Sequence, residues 1–304
     1  LYVRYQGAKP TLERIIQKSN SFLDVAAWRK KLERIERTVC SIEISGDHAG
    51  TGFLIGPDLV MTNYHVVVDL LGDAPAVQPQ QVRLRFDFKK AEDGDVLNDG
   101  IRYPLQLPNW LVDSSRFGDA EAQNDFETLP TADRLDYAVL RVAPQEGNLP
   151  GHQAVLGSTD KERGWVAFPT QAPKLAPGGP LFIVQHPKGK SMKMALATDS
   201  IILVNANNTR VRHKTNTEAG SSGSACFNSN WDLVALHHAG DPNWHKPAAW
   251  NQAVPIWTIR EHWRTNGLLD HILTGAPPPA PAGSTNGAGE TFSVEDELDD
   301  LLQN

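Results

Sequence analysis

Three polar residues, far apart in the chain, have the types and surroundings that nucleophilic catalysis by a serine requires. Ser222 lies in the run "AGSSGS", where Gly220 and Gly223 allow the backbone to turn sharply and to point N–H groups inward. His65 follows an apolar run in "LVMTNYHVV", and Asp136 stands directly before "YAVL". A serine nucleophile needs a base for its proton, a carboxylate that orients the base, and donors for the oxyanion. The chain has a candidate for each role.

Each of these residues alone also has an ordinary structural interpretation. A stretch rich in glycine and serine is usually a solvated turn, a histidine at a strand end is usually a hydrogen-bonded surface residue, and an aspartate before a strand is commonly a cap. An α/β-hydrolase elbow is the obvious competing interpretation of Ser222, but it requires Gly-x-Ser-x-Gly and a histidine that comes last in the chain. Here Gly223 follows the serine at once, and the best histidine comes first.

Short apolar runs bounded by Gly, Pro, Asn and Asp fill residues 39–253 and predict the strands that position these side chains. No long helix is expected in that range, which favours an antiparallel barrel or sandwich over alternating strands and helices. Apolar residues at helical spacing predict a helix over 10–36 and a return to helix over 254–273. Residues 72–134 carry few apolar runs and predict long surface loops around two or three strands.

The motifs "GTGFLI", "TNYHV", "DYAVL" and "GSSGS" resemble the trypsin/chymotrypsin-like serine peptidase superfamily over about residues 38–263. The resemblance implies a mainly β fold of two antiparallel six-stranded barrels, here with N-terminal helices and a C-terminal helix, and a site between the barrels. It implies that Ser222 is the nucleophile, His65 the general base and then acid, and Asp136 the orienting carboxylate. The backbone N–H groups of Gly220 and Ser222 would form the oxyanion hole. Ser221 stands where trypsin-type zymogens have an aspartate that captures a new N-terminal amine, so we expect no activation by that route.

A narrower resemblance concerns the specificity pocket. The run "GSSGSACFNSNWDLVALHHAG" is similar to the bacterial glutamyl-endopeptidase branch, which implies cleavage after Glu or Asp with Thr217 and His237 holding the substrate carboxylate and Asn216 in the pocket wall. In the pocket wall before the nucleophile this chain has Asn216 and Thr217 rather than an aspartate, so a Lys or Arg would find no counter-charge there. Glu218 would repel an acidic substrate if it pointed inward. Strand alternation sends His237 and His238 to opposite faces, so at most one of them faces the cleft.

The N-terminal helices together with this core also resemble the trypsin-like peptidase modules of bacterial conflict and self-killing systems. That resemblance implies a defence role and a protein or peptide substrate such as a gasdermin. Two other functions stay open, a degenerate peptidase fold that only binds a peptide and a hydrolase of small esters. No cofactor and no metal site are expected.

Composition limits the remaining classes of function. The net charge of −7 includes six acidic residues within 281–304, which leaves a nearly neutral body and argues against nucleic acid as a partner. No run of 18 apolar residues is present, so no membrane span is expected. Cys40 and Cys226 lie in apolar runs and are expected to be buried and reduced, which favours a cytoplasmic protein.

The chain divides by composition into three expected parts. These are an N-terminal helical extension (1–37), a peptidase domain of two barrels (38–273), and a flexible linker with an acidic tail (274–304). The 1–37 helices and the tail at 291–304 are the candidate docking segments for a partner, and plain disorder is the alternative interpretation of the tail.

Overall fold

The computed structural model describes residues 23–72, 74–155, 160–243 and 245–275. It is mainly β, with two curled antiparallel sheets of seven strands each and helices at both ends of the described chain. The predicted fold class is therefore confirmed. The acidic tail and the first part of the predicted N-terminal helix lie outside the described residues.

The first sheet is a six-stranded barrel in which one strand is bent. The segments of this half are β1 (Val39–Ile44), β2 (Asp47–Leu54), β3 (Leu59–Thr62), β4 (Val82–Phe86), the separate hairpin β5 (Lys89–Lys90) and β6 (Val96–Asn98), β7 (Ile101–Pro104), β8 (Leu111–Ser115) and β9 (Tyr137–Arg141). The order in the sheet is β7-β4-β1-β2-β3-β9-β8. The two strands at the ends of this order, β7 and β8, are consecutive in the chain, and between them Leu105 bridges to Val142, just beyond β9. The sheet thus closes on itself through one interrupted strand.

The second sheet has the same plan. Its strands are β10 (Leu181–Gln185), β11 (Lys193–Ala197), β12 (Ile201–Val204), β13 (Val211–His213), β14 (Ala225–Phe227), β15 (Leu233–Gly240) and β16 (Asn251–Pro255). Their order is β11-β10-β14-β15-β16-β13-β12, and the end strands β11 and β12 are again consecutive in the chain, separated by three residues. If the two end strands of each sheet are counted as one bent strand, each sheet has the six strands that the family resemblance implies.

The region 72–134 contains five strands, β4 to β8, so the prediction of two or three strands was wrong. The strands β5 and β6 have only two and three residues, and their side chains lie mostly at the surface. Strands this short and exposed need no apolar alternation, so the sequence carries no signal for them.

Among the described residues, three α-helices flank the barrels, α1 (Val25–Thr38), α2 (Ile256–Thr265) and α3 (Leu269–Thr274). The helix α1 begins after Asp24, whose carboxylate accepts a hydrogen bond from the Ala27 amide at 2.8 Å. The predicted helix over 254–273 is interrupted in two ways. Val254 and Pro255 still belong to β16, and Gly267, with a φ of 71°, separates α2 from α3. None of the described helices is long and apolar enough to cross a membrane.

Burial on both faces of the strands explains their nearly continuous apolar runs. In β9, Tyr137 and Val139 belong to a cluster between the two barrels, whereas Ala138 and Leu140 belong to the cluster inside the first barrel. A third cluster fills the second barrel. The two cysteines, Cys40 and Cys226, are fully buried and free, as predicted, and burial raises the pKa of both thiols.

The segment between the barrels is fastened by a buried ion pair. The Arg163 guanidinium donates two hydrogen bonds to the Asp87 carboxylate at 2.9 and 2.6 Å and a third to the Arg37 carbonyl at 2.7 Å. The Arg163 side chain is 0% exposed and that of Asp87 is 8% exposed. The pair joins the loop after β4, the end of α1 and the segment between the barrels.

We predict that Arg163→Met lowers the free energy of unfolding by about 3–5 kcal/mol, because it leaves the Asp87 carboxylate buried without its partner. The matched control is Arg264→Met, which removes the exposed pair of Arg264 with Glu261 and costs at most about 1 kcal/mol. Urea unfolding measures both values, and equal losses for the two variants would contradict this account of Arg163.

Candidate active site

The loop that presents Ser222 depends on two glycines. Gly220 and Gly223 have φ angles of 87° and 86°, a region that residues with a side chain rarely adopt. A Cβ at position 223 would overlap the Thr51 carbonyl oxygen and the Thr62 hydroxyl. Another residue at this position would therefore force the loop away from the first barrel.

From Gly220 to Ser224, hydrogen bonds among the described residues leave two backbone amides unused. The amides of Ser221, Gly223 and Ser224 donate to protein carbonyls at 3.0 to 3.1 Å. Within the described part of the chain, no acceptor is placed for the amides of Gly220 and Ser222. These are the two donors that the family resemblance implies for the oxyanion hole.

The peptide group that carries the Gly220 amide is held in one orientation. The carbonyl of Ala219 accepts a hydrogen bond from the Lys188 amide at 2.7 Å. In a trans peptide the C=O and N–H groups point in opposite directions, so this bond turns the Gly220 N–H away from Lys188. On the other side, the Gly220 carbonyl accepts from the Thr51 hydroxyl at 2.9 Å.

His65 and Asp136 are in direct contact. His65 Nδ1 lies 2.7 Å from Asp136 Oδ2, and the His65 amide donates to Asp136 Oδ1 at 3.0 Å. The Asp136 side chain is 0% exposed and that of His65 is 34% exposed. Asp136 has a φ of 46°, and its carbonyl accepts from the Asn63 amide group at 2.8 Å, which helps hold this left-handed conformation.

Electrostatics fix the form of the histidine ring. Burial opposes the charge of Asp136, but the neighbouring imidazoles of His65 and His238 hold the pKa of that carboxyl far below its usual range. An ionised carboxylate only accepts hydrogen bonds, so His65 Nδ1 must carry a proton and Nε2 is free to accept one. Burial would lower the pKa of His65, but the charge and hydrogen bond of Asp136 outweigh it, and the pKa is raised.

Ser222 is tied to both barrels through its backbone. The Thr51 amide of β2 donates to the Ser222 carbonyl at 2.8 Å, and the Gly223 amide donates to the His237 carbonyl of β15 at 3.0 Å. Among the described residues, no hydrogen bond joins the Ser222 hydroxyl to His65. The serine is partly exposed, and Ser221 beside it is buried, with its hydroxyl accepting from the Glu218 amide at 3.1 Å.

The predicted pocket residues have different environments. His237 is buried, and its ring contacts the buried His213 ring edge to face, with centroids 5.6 Å apart. Three nitrogens of these rings, His237 Nδ1 and both of His213, are buried without a hydrogen-bond partner among the described residues. Burial lowers the pKa of His213 to about 3 and that of His237 well below its usual value. Thr217 is half-buried and Asn216 is exposed, and within the described residues no hydrogen bond connects Thr217 to His237.

Glu218 is exposed and paired with two lysines. Its carboxylate lies 2.9 Å from the Lys188 ammonium group and 3.8 Å from that of Lys190, and all three side chains are exposed. The hydrogen bond from Lys188 lowers the pKa of Glu218. The expected conflict with an acidic substrate therefore does not arise from this residue.

His238 is a site residue whose role the sequence did not reveal. Its Nδ1 lies 2.9 Å from Asp136 Oδ2, while its neighbour His237 points the other way. The alternation rule correctly separates the two rings, but it gives no contact for His238. The ligand atoms of His65, Asp136 and His238 lie within 4.8 Å of one another, a grouping that could hold a metal ion. The carboxylate of Asp136 is already satisfied by the amide and ring of His65 and by the ring of His238.

A cavity of about 240 Å³ opens beside the candidate base. His65, Glu121, Asp136 and His238 form its polar side, and Phe117 and Phe126 are on its apolar side.

Comparison with known proteins agrees with the fold. The trypsin-like peptidase domain family matches residues 50–236. The chain is 30% identical over 217 residues to the uncharacterized protein y4fB of Sinorhizobium fredii, covering 68% of this chain and 28% of that protein. It is 24% identical over 211 residues to a probable serine protease of Lysobacter enzymogenes, covering 66% and 30%. It thus spans less than a third of the length of these relatives.

Solved structures that resemble the chain include two proteases. One is the Rv3671c protease in an inactive form, at 16% identity and a TM-score of 0.49, covering 80% of this chain and 95% of that one. The other is a serine endoprotease from Yersinia pestis, at 15% identity and a TM-score of 0.47, covering 81% and 66%. The family match extends over more than half of the chain, and the protein therefore belongs to the trypsin-like peptidase family.

Proposed function

We propose that the protein is a serine endopeptidase in which Ser222, His65 and Asp136 form the catalytic triad. The observation that carries the proposal is the 2.7 Å contact between His65 Nδ1 and the fully buried Asp136 carboxylate. This contact leaves Nε2 of the ring free to take a proton, on a side chain that is still one-third exposed. The two unused amides of the Ser222 loop support the same assignment.

Each group has one chemical task. His65 Nε2 takes the hydroxyl proton as Ser222 Oγ attacks the substrate carbonyl, and it then gives that proton to the leaving amine. Asp136 stays ionised and stabilises the imidazolium that forms in between. The amides of Gly220 and Ser222 receive the negative charge that develops on the carbonyl oxygen. Water then releases the acyl group by the same steps in reverse order.

We propose a preference for Glu or Asp on the N-terminal side of the cleaved bond. The buried ring nitrogens that have no hydrogen-bond partner among the described residues, both of His213 and Nδ1 of His237, support it, because buried polar atoms without a partner are costly and are typical of a site that binds a polar group. A substrate carboxylate would accept a hydrogen bond from His237, and Thr217 offers a second donor. The ion pairs of Glu218 with two lysines keep competing negative charge away.

The wider biology stays at the level of proposal. One relative is named a probable serine protease, which agrees with the activity. The two buried free thiols are consistent with a cytoplasmic location. A role in bacterial defence and a gasdermin-like substrate rest on the sequence resemblance alone. The competing functions, a peptide-binding degenerate peptidase and a small-ester hydrolase, predict no protein cleavage.

We predict that Ser222→Ala and His65→Ala each lower kcat for peptide cleavage by roughly 10⁵-fold or more, because the triad acts as a unit. Asp136→Asn should lower kcat about 10⁴-fold, since it leaves the ring in the wrong tautomer. Steady-state kinetics on a peptide released by the wild type measure these losses. The control Ser229→Ala, outside the site, should stay within about twofold of the wild type. Substantial turnover by Ser222→Ala would contradict the assignment.

The pH profile should follow the raised pKa of His65. The base form is required, so kcat/KM falls as pH decreases through a midpoint above 6.5, the ordinary value for the ring. In Asp136→Asn the stabilising charge is gone while burial remains, so the midpoint of the residual activity should move to lower pH. A midpoint that is unchanged by this substitution would show that His65 does not titrate against Asp136.

The acidic preference is tested with peptides that differ only at the residue before the cleaved bond. We expect Glu to exceed Gln and Lys by roughly 10²-fold in kcat/KM, because Lys offers the pocket donors no acceptor and Gln offers one neutral amide oxygen in place of a carboxylate. His237→Leu should remove this preference. Hydrolysis of a small activated ester, which has no such side chain, reports the triad separately and should change little. Preferred cleavage after Lys, or an intact Glu preference in His237→Leu, would contradict the pocket assignment while leaving the triad assignment in place.

A further inference from the structure

The carboxylate of Asp136 is shared between two imidazoles. Oδ2 lies 2.7 Å from His65 Nδ1 and 2.9 Å from His238 Nδ1. Because the carboxylate is ionised and only accepts, His238 Nδ1 must be a donor in this contact. His238 comes from β15 of the second barrel, whereas His65 and Asp136 belong to the first. The contact therefore fixes the carboxylate across the boundary between the barrels.

A second buried ion pair stands behind His238. Nε2 of His238 lies 3.4 Å from Glu121 Oε1 without forming a hydrogen bond among the described residues, and Arg210 donates to both oxygens of Glu121 at 2.6 Å. The side chains of His238, Glu121 and Arg210 are only 3–4% exposed. Burial opposes the charge of Glu121, but His238 and Arg210 lower the pKa of this carboxyl to about 2.

The members of this chain of contacts come from distant parts of the sequence. Glu121 belongs to the loop between β8 and β9 of the first barrel, and Arg210 directly precedes β13 of the second. Arg210 also donates to the Arg134 carbonyl at 3.0 Å, near the start of β9. The loop that carries Asp136 is thus bonded to Arg210 through Glu121 and Arg134, and to His238 through Asp136 itself.

We propose that His238 is a positioning residue, which orients the Asp136 carboxylate toward His65 and is itself held in place by the Glu121–Arg210 ion pair. The proposal rests on the proposed triad. It assigns to His238 no contact with the reacting atoms. The three contacts hold the carboxylate in one rotation, in which Oδ1 accepts from the His65 amide and Oδ2 lies between the two rings.

His238 also takes part of the charge of the shared oxygen. The charged and titratable groups around its ring are Asp136, Glu121, His65 and, behind Glu121, Arg210, with His237 adjacent in the strand. If the His238 donor is removed, Oδ2 keeps more of its negative charge. That charge favours the imidazolium form of His65 and so raises the pKa of His65. A neutralised Glu121 has the opposite effect, because its negative charge also favours the imidazolium.

The test compares His238→Leu with His238→Asn in the whole chain. Leu keeps the volume but removes the donor, whereas the side-chain amide of Asn places a donor close to the position of Nδ1. His238→Leu should lower kcat about tenfold or more through misplacement of the base, and the acid midpoint of kcat should move to higher pH. His238→Asn should restore most of both. A surface control, His152→Leu, removes the exposed contact of His152 with Glu162 and should stay within about twofold of the wild type.

The outcomes separate this proposal from the proposed function. If wild-type activity depends on Ser222 but His238→Leu keeps a normal kcat and midpoint, the triad stands and the positioning role is wrong. Equal losses in Leu and Asn, with no shift of the midpoint, would indicate a purely structural histidine and would also overturn it. If His238→Leu does not fold, Glu121→Gln replaces it. A reduced kcat with a midpoint at lower pH supports the proposal, and wild-type values for both contradict it.

Discussion

A buried carboxylate is the constraint on which the rest of the site depends. Asp136 is fully buried, and an ionised group without water is tolerated only if its oxygens are satisfied by donors. Three donors meet it, the amide and ring of His65 and the ring of His238. Two of these donors come from the first barrel and one from the second. The barrels therefore have to meet in a single arrangement for the charge to remain buried at acceptable cost.

The same arrangement places the serine loop against the first barrel. The backbone of Ser222 is bonded to β2 through Thr51 and, through Gly223, to β15. The space between these strands admits no side chain at position 223, which explains why a glycine follows the serine. The amides of Gly220 and Ser222 donate to no acceptor among the described residues, and the peptide group before Gly220 is held by the Lys188 amide. Geometry of this kind needs rigid support, and here backbone hydrogen bonds supply it together with the Thr51 hydroxyl.

The parts that the sequence predicted well depend on local chemistry. Strand runs, buried cysteines and a sharp glycine turn at Ser222 follow from residue type and spacing, and the fold class follows from the family motifs. The contacts of His238 with Asp136, and of Glu121 with Arg210, could not be predicted in this way. They join residues about a hundred positions apart, and they form only because both sheets curl and close. The two shortest strands, β5 and β6, were missed because exposed pairs of this length need no apolar pattern.

If the contacts around Asp136 make Ser222 a working nucleophile, a fluorophosphonate probe will react with it. Phosphonylation requires an activated serine and an intact oxyanion site. Mass spectrometry of the labelled protein should find one phosphonyl group per chain, located on Ser222. His65→Ala should lose the label while circular dichroism shows that it remains folded. A folded wild-type protein that takes up no label, or that carries it on another residue, would contradict the account.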